Sequence, residues 1–162
     1  KPVVPSRNAV SNAMNVGHPS NLARIVSLYG GMMDDLGIIR SDPDMEALRR
    51  DIYSFSVSDE LTLETMAKYY KDHKIVSEPH GAAALAAVDQ YRRENSGIDI
   101  AGGVVISIET AHPAKFPELV SKVTRETPPV PVSLSGLNEK SEFCEKIPGR
   151  YEFLKEYLLE SI

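Results

Sequence analysis

Three short segments hold the residue types whose spacing can do chemistry: residues 11–21 (SNAMNVGHPSN), 77–84 (SEPHGAAA) and 108–116 (IETAHPAKF). The third is the sharpest. An apolar, β-branched run over residues 103–109 (GVVISIE) ends in Thr110, Ala111 and His112, with Pro113 and Lys115 following before a new helix. In open α/β sheets, ligands gather beyond the carboxyl ends of the strands. A hydroxyl in that place can donate to a ring nitrogen or accept from it without imposing a charge. The plainer alternative is that Thr110 caps the next turn and His112 bonds a backbone carbonyl, and spacing alone favours it.

In the second segment Glu78 and His80 stand just before a helix start, where free backbone N–H groups can hold an anion. A Glu-x-His pair can also do acid–base work. A turn with a solvated Glu78 is the stronger expectation. In the first segment Ser11, Asn12, Asn15, Ser20 and Asn21 surround Pro19 with amides and hydroxyls. Such groups can orient a carboxylate or an amine, though composition alone favours turns and caps. The histidines (His18, His73, His80, His112) show no metal-binding spacing, and Cys144 is the one thiol, so no metal site is expected. Cys144 lies in an acidic stretch (EFCEK) with no base beside it, a poor setting for a nucleophile. Neither a GxSxG elbow nor a glycine-rich phosphate loop is present.

The elements that must position these residues read as an α/β chain. A helix with Leu22, Ile25, Val26 and Tyr29 on one face is expected after a Ser20 or Asn21 cap, ending at Gly30-Gly31. Asp42 and Pro43 are expected to open a second helix carrying Met45, Leu48 and Ile52. Residues 52–57 (IYSFSV) alternate as a short strand does, and Ile75-Val76 reads as a minimal one. Between them, Ser58 caps a helix with Asp59 and Glu60 in its first turn. An alanine-rich helix follows over about residues 82–93. Residues 103–109 form the best strand, of the kind buried on both faces in a parallel sheet. Further helices are expected from Phe116-Pro117 to about Val123, over 139–144, and over 149–159. The strands are few and short, so the sheet is incomplete. The expected organisation is an extended arm and loop (1–18), an α/β portion (19–126) and a helical tail (127–162).

Charged residues make up 25% of the chain and the formal charge is −5, spread along its length. Clustered Lys and Arg are missing, so no nucleic-acid surface is expected. No apolar run approaches the ~20 residues of a membrane span, and the first residues show no secretory apolar region. A reducing, cytoplasmic setting is the simplest expectation for one cysteine. The first residue is not Met, which suggests a missing upstream segment.

Together the three segments resemble threonine synthase. SNAMNVGHPSN is similar to that family's Ser-x-Ala-Met stretch followed by Pro-Ser-Asn. SEPHGAAAL resembles its Asp/Glu-Pro-His turn before a small-residue helix. ETAHPAKFPE is close to its Thr-Ala-His-Pro-Ala-Lys-Phe signature. The resemblance covers the whole chain and implies part of the fold type II architecture of pyridoxal-phosphate enzymes. It implies conversion of O-phospho-L-homoserine and water to L-threonine and phosphate. By resemblance Thr110 is the hydroxyl partner of the pyridine nitrogen, with Ser11, Asn12, Asn15, His112 and Lys115 as candidates to line the site. The family's Schiff-base lysine lies in a Ser-Phe-Lys-Asp-type context that no lysine here has, and the phosphate-cradling loop is also missing. Both are expected upstream. The chain alone is therefore expected to be inactive, with the remaining N-terminal part of the enzyme as its partner. Two alternatives stand beside this: a phospholyase acting on another phosphorylated amino alcohol, and a non-catalytic domain that binds a partner.

Overall fold

The structure, a computed structural model, describes residues 8–12, 15–17, 19–96 and 103–160. The chain divides into two units, one ending at Pro129 and the other beginning at Val130. In the first unit, α1 (Leu22–Leu28) leads into an antiparallel ribbon of β1 (Met32–Met33) and β2 (Ile39–Ser41). The helices α2 (Met45–Asp51), α3 (Asp59–His73), α4 (Pro79–Glu94) and α5 (Pro117–Thr124) follow. The second unit holds two 3-10 turns, Val132–Leu134 and Leu137–Glu139, and the helix α6 (Tyr151–Glu160).

The site rests on α3, α4 and α5, which share one small core. Ser58 caps α3 as expected, its hydroxyl accepting from the Leu61 N–H at 3.2 Å, and Lys74 closes the helix in the left-handed region. Pro79 opens α4, where a missing N–H loses no helical bond. Ala82 and Ala86 are buried on α4, and their small side chains let it lie close to α3. Met66, Ala82 and Val120 form the core cluster, with Leu63, Val76, Phe116 and Val123 packed around it. Away from that core, Lys68 pairs with Asp89 at 2.8 Å and the Tyr69 hydroxyl donates to Asp89 at 2.9 Å. Burial raises the Asp89 carboxyl, but the Lys68 and Tyr69 hydrogen bonds outweigh it and leave the pKa below its ordinary value.

Several expectations give way. The β-branched run forms no strand over residues 104–110: among the described residues no strand lies beside it. Val104, Ile106 and Ile108 are 90%, 78% and 71% exposed. A strand draws its ladder bonds from neighbours distant in sequence, and the described residues supply none to it. Residues 52–57 and Ile75-Val76 are likewise not strands. Among the described residues the one sheet is the β1–β2 ribbon, with Met32 opposite Ser41 and Met33 opposite Ile39. It is built around Asp34, whose carboxylate accepts from the Leu36 and Ile38 N–H groups and pairs with Arg40. The Ile38 bond leads the causes that hold the Asp34 pKa below its ordinary value. A Cβ on Gly31 would stand 2.7 Å from Pro43 N and 2.8 Å from Ser41 O, so only glycine lets this junction close.

Helix starts also shift. Asp44, not Asp42, caps α2, accepting from the Glu46 and Ala47 N–H groups at 3.1 and 3.0 Å. Its carboxylate stands two and three residues ahead of those donors, the spacing a cap needs. Asn21 occupies the cap position of α1 without a side-chain bond. The helix expected over 139–144 is not formed: a 3-10 turn ends at Glu139 and residues 141–148 are irregular. Phe143 there is 85% exposed, so no packing holds a helix in place. The described elements are thus helices with a single short ribbon, a partial α/β fold.

Candidate functional site

At the start of α4 a carboxylate is folded inward. Glu78 caps the helix, its Oε1 accepting from the Gly81 N–H at 2.8 Å and its Oε2 from the His80 N–H at 2.9 Å. The His80 Nδ1 also bonds Oε2. Glu78 is fully buried, not solvated as the sequence suggested. Its oxygens satisfy free N–H groups that water would otherwise have to reach. A tautomer with its proton on Nδ1 would donate to this carboxylate. His80 Nε2 is buried and has no partner among the described residues, and the same holds for the Ser77 hydroxyl. The His80 ring packs on Phe116, with centroids 5.4 Å apart.

The end of the unpaired segment meets this helix start. The Glu78 N–H donates to Glu109 Oε1 at 2.8 Å. Gly81 leaves room for that carboxylate: a Cβ there would stand 2.9 Å from both Glu109 Cγ and Oε1. Thr110 follows, exposed, its hydroxyl without a hydrogen bond among the described residues. Thr110 therefore does not cap the next turn. His112 does, its Nδ1 accepting from the Ala114 N–H at 3.1 Å and starting the 3-10 turn Pro113–Lys115. His112 is bonded to a backbone N–H, not to a carbonyl, which leaves Nε2 as its protonated nitrogen when the ring is neutral.

Two of the other candidates meet. Asn12 and Lys115 line one groove of about 490 Å³ together with Val10, Phe116, Glu118 and Lys122. The arm reaches it because the Val10 N–H donates to Asp59 at 3.1 Å, a bond between residues far apart in sequence. Ser11 and Asn15 are half-buried nearby in the chain, and neither lines the groove. His18 lies outside the described residues. Sequence reasoning missed Glu109 and Gly81. The cue for Gly81 was a glycine in the first turn of a helix, where its low propensity calls for a reason. Among the described residues, no group of His, Cys, Asp or Glu could hold a metal ion, and no helix is long and apolar enough to cross a membrane.

Residues 81–158 match the family model of the threonine synthase C-terminal region. The chain is 32% identical to the threonine synthase of Buchnera aphidicola subsp. Schizaphis graminum over 154 residues, which is 94% of this chain and 31% of that protein. It is 36% identical to that of Pseudomonas aeruginosa over 97 residues, 59% of this chain and 19% of that protein. The crystal structure of threonine synthase from Escherichia coli superimposes with a TM-score of 0.67 at 27% identity, over 100% of this chain and 33% of that one. A PLP-bound threonine synthase from Brucella melitensis gives 0.67 at 19% identity, over 98% and 35%. The fold is thus a partial α/β fold that matches about a third of the length of the solved threonine synthases. The chain spans about a third of the length of the relatives it matches. Along its length the chain is similar to the C-terminal part of threonine synthases.

Proposed function

We propose that this chain forms one wall of the site in a pyridoxal-phosphate-dependent threonine synthase, which converts O-phospho-L-homoserine and water to L-threonine and phosphate. The observation that carries this reading is the Thr110 hydroxyl: exposed, unbonded among the described residues, and flanked by two anchored residues, Glu109 and His112. A neutral hydroxyl suits a pyridine nitrogen, since it can donate or accept without fixing the ring's charge. When bound, the cofactor supplies an electron sink for the carbanion chemistry of the substrate. Thr110 would hold the ring nitrogen. Asn12 and Lys115 offer an amide and an ammonium to one groove, a pairing suited to an anionic group of the substrate. Lysine anchorage and the phosphate cradle belong to the remaining N-terminal part. That part would also cover Val104, Ile106 and Ile108, giving the unpaired segment its neighbours. A cytoplasmic setting fits this chemistry.

The test uses the intact protein with pyridoxal phosphate and O-phospho-L-homoserine, reading threonine and phosphate release. Thr110→Val is expected to weaken cofactor affinity about tenfold, the scale of one lost hydrogen bond, and to change the cofactor's absorption. Wild-type affinity with an unchanged spectrum would remove Thr110 from the site. The isolated chain is expected to release no threonine.

A further inference from the structure

We propose that Glu109 is a positioning residue: its carboxylate clamps the end of segment 104–110 to the start of α4 and so fixes where Thr110 presents its hydroxyl. This rests on the reading of Thr110 given above. Glu109 Oε1 accepts from the Glu78 N–H at 2.8 Å, across 31 residues of sequence. The residue it grips is itself held. Glu78 is fully buried, and both of its oxygens are used by the Gly81 and His80 N–H groups and by His80 Nδ1. The clamp therefore closes on a fixed helix end and not on a loop. The far side of the turn is tied to the same place, because the His80 ring packs on Phe116. Thr110 lies between these two ties.

Gly81 completes the clamp. The space its side chain would take is filled by Glu109 Cγ and Oε1. Among the described residues no Lys, Arg or His pairs with Glu109. Its contribution is thus that of a hydrogen-bond acceptor, which a neutral amide can reproduce.

The experiment measures pyridoxal-phosphate affinity and the cofactor absorption spectrum in the intact protein. The variants are Glu109→Ala, Glu109→Gln, Gly81→Ala, Thr110→Val and the double variant Glu109→Ala/Thr110→Val. Glu109→Ala and Gly81→Ala are expected to weaken binding about tenfold, as one lost hydrogen bond would. Glu109→Gln keeps the acceptor and is expected within about threefold of wild type. Because Glu109 acts through Thr110, the double variant is expected to bind no more weakly than Thr110→Val alone, whereas a general structural role would make the losses add. Wild-type binding by Glu109→Ala, equal damage from Glu109→Gln, or additive losses would each overturn the proposal. If Glu109→Ala does not fold, Gly81→Ala decides: wild-type binding there sinks the clamp. Wild-type affinity in Thr110→Val overturns the Thr110 reading instead, whatever Glu109 does.

Discussion

The start of α4 and the segment 104–110 that meets it were both expected to matter, yet they are finished to different degrees. At the helix start the bonds of the Glu78 carboxylate are local. Glu78, His80 and Gly81 lie within four consecutive residues, and these bonds close among them. Among the described residues, segment 104–110 is anchored near its end, by Glu109, while Val104, Ile106 and Ile108 stay largely exposed. Short-range capping needs nothing beyond the chain that carries it. A sheet strand needs neighbours from elsewhere, and the described residues do not supply them.

The contrast can be broken most directly at Glu78. Glu78→Ala leaves His80 Nδ1 and two N–H groups without their acceptor in a buried place. Denaturant unfolding of the intact protein is expected to register a loss of about 4 kcal/mol, the scale of breaking a buried pair. A loss of only a few tenths would mean that water reaches these groups. Ile106→Lys sharpens the other half of the comparison. In the isolated chain Ile106 is 78% exposed, so the change should leave the helical circular dichroism intact and lower self-association seen by light scattering. In the intact protein the same lysine would enter a covered sheet, and a cost of about 3 kcal/mol is expected. Equal effects in both settings would show that nothing covers the segment.

The smallest effect belongs to the surface pair that joins α3 to α4. The Asp89 pKa lies below its ordinary value of 3.8, so the ionised form is favoured by folding. Its contribution is complete above the unfolded pKa and is lost as pH falls through the folded one. Unfolding midpoints should therefore show a small decline below about pH 4 that Asp89→Asn removes. A decline of the same size in the variant would assign the acid sensitivity to other carboxylates.

How far the sequence spoke follows the same divide. Ser58 and Pro117 announced α3 and α5, because caps act within a turn of the residue that makes them. The β-branched pattern of 103–109 is that of a strand, but no pattern within a segment can say whether a neighbour is present. Asp34 builds its ribbon from bonds to N–H groups two and four residues on, in a stretch with no alternation to betray it. The burial of Glu78 was hidden for another reason. Nothing in SEPHG tells a solvated carboxylate from one turned inward, since the decision rests on what packs around it. The groove that joins Asn12 to Lys115 depends on Val10 reaching Asp59, a tertiary contact with no sequence signature.

Gly81 and Glu109 compete for one volume. A mutation adding a methyl group at position 81 cannot settle while the glutamate keeps its reach, and a longer side chain at 109 meets the same wall. Drift at either position is then conditional on the other. A change at one of the two positions would alter which side chains fit at the other.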